Sequence, residues 1–307
     1  MSACARRRSR SGALRLGTRG SALALVQARS VAERLDAEVE VIEITTSGDV
    51  QRDRPASPVP GRLRRALPAG DPGDKSRWTG ALERALLAGE IDVAVHSAKD
   101  VPGELAPGTA IVAVPPRADP RDALVGAPSL AALPEGATVG TSALRRRAQL
   151  LAARPDLAVV ELRGNVDTRL RKLAAGEVDA LVLAAAGLAR LERDDVEAVA
   201  LEGDVFVPAP GQGSLLVQGR AGERLDAVDD ATARAALEAE RAVVARFGAS
   251  CHTPVGVWQG PVGMRAFVGL PDGSEWLIDD APDADALAQR MLAAGAAELL
   301  ARAEAMA

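Results

Sequence analysis

The residues with the clearest chemical potential in this sequence are arginines, which concentrate between Thr141 and Lys172. This segment contains eight Arg and Lys residues and three acidic residues, so its net charge is 8 − 3 = +5, whereas the whole chain carries −5. Guanidinium groups bind carboxylates through two parallel hydrogen bonds. A positive segment within an acidic protein therefore favours a small ligand that carries several carboxylates. The alternative is a set of solvated surface arginines.

The spacing of these arginines places them where predicted strands give way to helices. Thr141 follows a strand and opens a helix, and Arg145 and Arg146 fall in the first turns of that helix. The next strand is followed by Asn165 as a helix cap, with Arg169 four residues later on the same face. Helix N-termini supply capping hydroxyls and free backbone N–H groups that bind anions. Two such corners in succession favour an anion-binding site.

A second candidate segment is HSAKDVP, residues 96–102, which follows a predicted buried strand. Asp100 would lie at the carboxyl end of that strand, which is where ligands bind in α/β sheets. A carboxylate near arginines can stay ionised and stabilise a cationic intermediate, or it can pass a proton if burial raises its pKa. The alternative is that Asp100 caps a turn and Lys99 is exposed to solvent.

Cys251, in the segment GASCHTPVG, is one of two cysteines in the chain. A metal site needs three or four ligands, and the histidines are only His96 and His252, so we expect no metal site. Cys251 is either a buried inert thiol or a covalent attachment point, and its spacing does not decide between them. The other cysteine, Cys4, lies in a basic tail, so we expect no disulfide and a reducing, cytoplasmic location.

The bulk composition excludes several classes of protein. The chain is acidic and only 2% aromatic, which disfavours nucleic-acid binding. No run approaches the roughly 20 apolar residues of a membrane helix, and the first residues lack the apolar core of a secretory signal. The segment GTRGS, with Arg19 and Ser21, is neither a dinucleotide fingerprint nor a phosphate loop. We therefore expect a soluble protein without nucleic-acid or membrane partners.

The predicted strands and helices alternate along most of the chain, which favours α/β domains with mainly parallel sheets and helices on both faces. An irregular stretch rich in Pro, Gly and Arg runs from Ser47 to about Thr79, and a helix is predicted from about Gly80 to Leu87. The chain ends in an antiparallel meander and one helix, Ala284–Ala303, which indicates a small α+β domain. The predicted domains are a disordered tail (1–12), α/β domain 1 (13–115 with 214–232), α/β domain 2 (116–213) and the C-terminal α+β domain (233–307).

Eight segments that occur in order along the chain resemble the hydroxymethylbilane synthase (porphobilinogen deaminase) family. They are LRLGTRGSALALVQA, GEIDVAVHSAKDVP, DPRDALV, VGTSALRRRAQL, ELRGNVDTRLRKL, AGLARL, PAPGQG and GASCHTPVG. One such segment would be weak evidence, but eight collinear segments between Leu14 and about Gly256 are specific. The resemblance implies two domains akin to periplasmic binding proteins, hinged over a cleft, and a small C-terminal domain that carries the cofactor cysteine.

The resemblance also implies a reaction. A dipyrromethane cofactor, built from two porphobilinogen units, is held by a thioether to Cys251. Four more porphobilinogens are added, each losing ammonia to give a cationic azafulvene, and water releases hydroxymethylbilane for tetrapyrrole biosynthesis. The family also implies a cytoplasmic monomer.

The family's functional residues match positions of this chain. Asp100 matches the catalytic aspartate, which stabilises pyrrole cations and assists proton transfer. The cofactor-binding positions besides Cys251 are Ser97, Lys99, Thr141, Arg145, Arg146, Gly164 and Arg169. The substrate-binding positions are Arg19, Ser21, Arg163, Arg169 and Arg190.

One departure from the family lies in its lid loop, which usually reads Gly-Gly-Lys-Gly-Leu-Phe followed by Lys-Glu-Leu-Glu. This chain has GDKSRWTGALE, so Lys75 and Trp78 align with the lysine and the phenylalanine, and the later lysine falls on Gly80. Two alternatives to the enzyme therefore stay open. One is a divergent paralogue with altered or lost activity, and the other is a non-catalytic protein that binds small anions.

Overall fold

The computed structural model of the protein describes residues 12–46, 76–202, 205–249 and 253–306. The described chain divides into two compact units. The first contains the described residues up to His96 together with Asp100–Ala113 and Val217–Val228. The second contains Ser97–Lys99, Val114–Leu216 and the residues from Asp229 onward. The further division predicted near residue 233 stays a prediction.

The regular elements of the described residues are numbered in chain order. The strands are β1 (Leu14–Thr18), β2 (Val39–Glu43), β3 (Val93–Ser97), β4 (Thr109–Ala113), β5 (Asp122–Val125), β6 (Thr138–Gly140), β7 (Ala158–Val160), β8 (Ala180–Ala184), β9 (Ala198–Ala200), β10 (Leu215–Arg220), β11 (Val255–Gly260), β12 (Gly263–Gly269) and β13 (Trp276–Ala281). The α-helices are α1 (Ala22–Ala32), α2 (Ser76–Ala88), α3 (Leu144–Ala153), α4 (Val166–Ala174), α5 (Ala185–Arg190), α6 (Ala231–Phe247), α7 (Ala284–Ala293) and α8 (Ala296–Ala305).

The first unit is built on a five-stranded sheet with the order β2-β1-β3-β10-β4. β1 runs parallel to both β2 and β3, whereas β10 runs antiparallel to β4. Helix α2 buries Leu82 and Leu86, four residues apart on one face, in a cluster with Ile91 and Ala94. Burying each leucine contributes roughly 1.5–3 kcal/mol. This packing fixes β3, whose carboxyl end carries the HSAKD segment.

The second unit contains a five-stranded sheet with the order β7-β6-β8-β5-β9. Both of its faces are covered, because Val182 of β8 packs in one cluster with Leu150 of α3, while Leu181 packs in another with Leu170 of α4. Successive residues of a strand point to opposite faces. The predicted helices on both faces are therefore confirmed for this sheet.

The sheets of the two units combine parallel and antiparallel strand pairs. β6 is parallel to β7 and β8, but β5 runs antiparallel to both β8 and β9. The alternation of strands and helices along the chain predicts how consecutive strands are connected. It does not set the direction of a strand such as β5, whose neighbours β8 and β9 come much later in the chain. The fold class of mixed α/β is nevertheless confirmed.

The C-terminal residues form the predicted α+β arrangement, in which β11, β12 and β13 make an antiparallel meander. The chain turns at Pro271-Asp272-Gly273 between β12 and β13, with Gly273 at a φ of 71°. The single predicted helix Ala284–Ala303 was wrong, because α7 and α8 are separated at Gly295. Gly295 has a φ of 97°, a left-handed conformation that favours glycine and interrupts the helix.

Helix α2 also differs from the prediction, since it begins at Ser76 rather than near Gly80. The part of the predicted irregular stretch from Ser76 to Thr79 is therefore helical, and the part from Ser47 to Lys75 lies outside the described residues. No helix within the described ranges is long and apolar enough to cross a membrane.

Candidate functional site

Arg145 and Arg146, at the start of α3, close on the carboxylate of Asp122 at the start of β5. Arg145 Nη1 is 2.7 Å from Asp122 Oδ2, and Arg146 Nη2 is 2.8 Å from Asp122 Oδ1. All three side chains are buried. Burial raises the pKa of Asp122, but the charges of the two arginines outweigh burial and hold that pKa well below its usual range. The sequence therefore builds a buried ionic cluster at this corner.

Backbone carbonyls fix the orientation of the two guanidinium groups. Arg145 Nη1 also donates to the carbonyl oxygen of Val207 at 2.7 Å, and Arg146 Nη1 donates to that of Val182 at 3.0 Å. The guanidinium groups therefore join α3 to β8 and to the loop before PAPGQG. A fixed guanidinium can offer its donors to a ligand without a further loss of conformational freedom.

Gln212 connects this cluster to the lysine of the HSAKD segment. Its Nε2 donates to Asp122 Oδ1 at 2.8 Å, and its Oε1 accepts from Lys99 Nζ at 3.2 Å and from Arg146 Nη2 at 3.4 Å. The side chain is 1% exposed. Because its amide donates to a carboxylate and accepts from two cations, Gln212 holds Lys99, Asp122 and Arg146 in one network.

The two glycines that flank Gln212 make its position attainable. Gly211 and Gly213 have φ values of 73° and 85°, in the left-handed region. A Cβ atom on Gly213 would lie 2.4 Å from the carbonyl oxygen of Ala118. PAPGQG is therefore a tight backbone turn that presents one glutamine. Sequence reasoning did not single out Asp122 or Gln212, although the quoted motifs DPRDALV and PAPGQG contain them.

Thr141 is buried, and its role at the helix start differs from the prediction. The residue before α3 is Ala143, which makes no side-chain cap, and Thr141 Oγ1 accepts a hydrogen bond from the backbone N–H of Ala143 at 3.2 Å. The prediction that hydroxyl side chains of this corner cap α3 was therefore wrong, because an alanine occupies the capping position. Ser97 and Lys99, both half-buried, lie at the end of β3 and in the 3₁₀ turn that follows it.

Arg169 joins the two strand-to-helix corners of the second unit. Its Nε donates to the carbonyl oxygen of Gly164 at 3.0 Å, and its Nη2 donates to Ser142 Oγ at 2.9 Å. Asn165 caps α4 as predicted, since its Oδ1 accepts from the N–H of Thr168 at 2.9 Å. The structure thus brings together the corners that the sequence identified separately.

Arg163 and Arg190 occupy different surroundings. Arg163 is exposed, and its Nε donates to Glu161 Oε1 at 2.6 Å. Arg190 ends α5, and its Nη2 donates to the carbonyl oxygen of Gly213 at 2.7 Å. Arg190 is therefore placed beside the Gln212 turn, whereas no contact of the described residues places Arg163 in that network.

The remaining described candidates belong to the first unit. Ser21 caps α1, with its Oγ accepting from the N–H of Ala24 at 3.4 Å. The guanidinium carbon of Arg19 lies 4.1 Å from the centre of the Trp78 ring. Asp100 is half-buried and ends the 3₁₀ turn Ala98–Asp100. Lys75 and Cys251, predicted for the lid and the cofactor, lie outside the described residues.

His96 is a buried neighbour of Asp100 that stays neutral at physiological pH. Burial, with a smaller contribution from the nearby charge of Arg19, lowers the pKa of His96 to about 4, although Gln218 and Asp100 act in the opposite direction. Because its imidazole is neutral, His96 supplies no positive charge to offset the negative charge of Asp100. In the part of the chain that the structure describes, no group of three or more His, Cys, Asp or Glu side chains is arranged to hold a metal ion.

The lowered pKa of His96 makes stability depend on pH. Between its ordinary value of 6.5 and about 4, the unfolded chain binds a proton that the folded protein does not, so stability is lost as the pH falls. We expect His96→Gln to lose less stability between pH 7 and pH 5 than the wild type, by about 2 kcal/mol. Urea unfolding at both pH values measures this difference. Equal losses in the two proteins would contradict the assignment.

Comparison with known proteins identifies the family. The family model described as "Porphobilinogen deaminase, dipyromethane cofactor binding domain" matches residues 14–227. The porphobilinogen deaminase of Roseiflexus castenholzii is 46% identical over 313 aligned positions, covering 94% of this chain and 98% of that protein. That of Deinococcus radiodurans is 41% identical and covers 93% of this chain and 97% of its own length.

Among solved structures, an ancestral cationic amino acid solute binding protein matches with a TM-score of 0.37 and 15% identity, over 69% of this chain and 84% of that one. The family model and these relatives show that the chain belongs to the porphobilinogen deaminase family.

Proposed function

We propose that this chain is a hydroxymethylbilane synthase. It condenses four molecules of porphobilinogen, with loss of one ammonia from each, and releases hydroxymethylbilane by hydrolysis, so that four porphobilinogens and one water give one product and four ammonia molecules. The observation that carries the proposal is the family match over residues 14–227, which spans both units of the described chain. The product serves tetrapyrrole biosynthesis.

The side chains of the second unit fit the cofactor for which the family model is named. Each pyrrole of a dipyrromethane carries an acetate and a propionate, so its binding requires cations and hydrogen-bond donors. Lys99, Arg146 and Arg169 are such donors, and the first two share the Gln212 amide. Cys251 supplies the thiol for a thioether. When bound, the cofactor supplies the terminal pyrrole to which the first substrate is joined.

The cofactor-binding residues that we propose are those predicted from the sequence. They are Ser97, Lys99, Thr141, Arg145, Arg146, Gly164, Arg169 and Cys251. For Arg145 and Arg146 the structure supports a role in which Asp122 holds both guanidinium groups in place.

Asp100 is the proposed catalytic residue. Departure of ammonia from porphobilinogen leaves positive charge on the substrate, and a fixed carboxylate lowers the energy of that charge most effectively where little water competes. Asp100 is half-buried at the end of a short turn, and the neighbouring His96 is neutral. The same carboxylate can accept the proton that the attacked pyrrole loses.

Substrate carboxylates are assigned to a set of arginines and one hydroxyl. These are Arg19, Ser21, Arg163, Arg169 and Arg190. The proposal further includes action as a cytoplasmic monomer without nucleic-acid or membrane partners. It is supported by the family and by the acidic, aromatic-poor composition. Lys75 and Trp78 are the proposed residues of an altered lid.

The proposal is tested with purified protein and porphobilinogen. We expect one ammonia for each porphobilinogen consumed and one hydroxymethylbilane for every four, measured by an ammonia assay and by mass spectrometry of the product. Substrate binding without ammonia release would favour the non-catalytic anion-binding protein. Absence of both binding and turnover would favour a paralogue that has lost its activity.

A further inference from the structure

Trp78 and Arg19 form a cation–π pair in the first unit. Arg19 follows β1, and Trp78 lies in the first turn of α2, so the pair joins elements far apart in the chain. The guanidinium carbon lies 4.1 Å from the ring centre, well within the roughly 6 Å over which a cation is attracted to an aromatic face. Both side chains are half-buried.

A guanidinium group can contact an aromatic ring and donate hydrogen bonds to a carboxylate at the same time. The Trp78 ring occupies one side of the Arg19 guanidinium, which carries five N–H donors in a planar fork. An arginine held against a ring can therefore still bind a carboxylate through the donors that face away from the ring. Its side chain then loses less conformational freedom when the carboxylate arrives.

We propose that Trp78 is a positioning residue, which orients Arg19 for a carboxylate of the incoming porphobilinogen. This inference rests on the proposed function. It differs from simple core packing in one consequence: Trp78 acts on substrate binding through Arg19 and has no effect of its own once the guanidinium is removed. Indole carries the strongest cation-binding face of the aromatic side chains. The order of effectiveness at this position is accordingly Trp, then Phe, then Leu.

A double-mutant cycle tests the proposal on the complete protein loaded with its cofactor. We expect Trp78→Leu to raise KM for porphobilinogen about threefold with little change in kcat, and Trp78→Phe to raise it less. In an Arg19→Gln background, Trp78→Leu should leave KM unchanged. The matched control is Trp276→Leu, which removes a partly exposed tryptophan of β13 and should leave KM unchanged. An equal rise in KM with and without Arg19 would overturn the proposal.

Fluorescence gives a readout that needs no turnover. In a protein with Trp258→Phe and Trp276→Phe, Trp78 is the remaining tryptophan, because the chain has three. We expect Arg19→Gln to change its emission intensity, since the guanidinium lies on the ring. Unchanged emission would overturn the pair itself. If the wild type made no product although emission responded to Arg19→Gln, the proposed function would fail and the inferred role in substrate binding would fail with it. Turnover with additive KM effects would overturn only the inference.

Discussion

Asp100→Asn is expected to lower kcat at least about 100-fold while leaving the free energy of unfolding within about 0.5 kcal/mol of the wild type. Asparagine keeps the size of the side chain and one oxygen acceptor, but it removes the negative charge and the proton acceptor. The negative charge matters because the substrate becomes cationic when ammonia departs, and the carboxylate stabilises that cation. Stopped-time assays of product and urea unfolding measure the two quantities.

The matched control for Asp100 is Glu104→Gln, which neutralises an exposed carboxylate four residues further along the chain. This control should keep the rate of the wild type, and Asp100→Glu should recover part of the lost rate, because it restores the charge at a slightly different position. If Asp100→Asn turned over as fast as Glu104→Gln, the proposed catalytic role of Asp100 would be wrong.

Asp122→Asn is expected to destabilise the protein by about 3–5 kcal/mol. Asp122 is the shared counter-charge of Arg145 and Arg146 inside the second unit, and its removal leaves two buried cations to be compensated by neutral groups. The asparagine amide would also direct N–H donors toward guanidinium groups, which cannot accept them. Urea unfolding at pH 7 measures the loss as a lower midpoint.

Asp119→Asn provides the comparison for Asp122, because Asp119 also binds an arginine but does so at the surface. Its partner Arg121 is 46% exposed, and exposed ion pairs contribute at most about 1 kcal/mol. If the two variants lost similar amounts of stability, the buried Asp122 cluster would not have the stabilising role that its geometry indicates.

The local structure of the site was predictable where a short segment determines it. Helix α4 begins directly after Asn165, the cap that the sequence predicts, and Leu170 lies at the right spacing to reach the core. Even here the hydroxyls of the α3 corner were assigned to the wrong position, since Ala143 precedes the helix without a side-chain cap.

The partners of the predicted residues were not predictable, because they come from distant parts of the chain. Arg145 and Arg146 meet Asp122, which lies 23 and 24 residues away, and Lys99 meets Gln212, which lies 113 residues away. No periodicity connects such positions. The sequence therefore identified the cations of the site but not the carboxylate and the amide that hold them.

The most direct test of the account is the intact mass of the denatured protein, purified from a tetrapyrrole-producing cell, with Cys251→Ser purified alongside. We expect an added mass of two porphobilinogen units, each less one ammonia, in the wild type and no added mass in the variant. Incubation with porphobilinogen should then add further units to the wild type alone. An unmodified wild type that gains no mass with porphobilinogen would contradict the covalent cofactor and the synthase that depends on it.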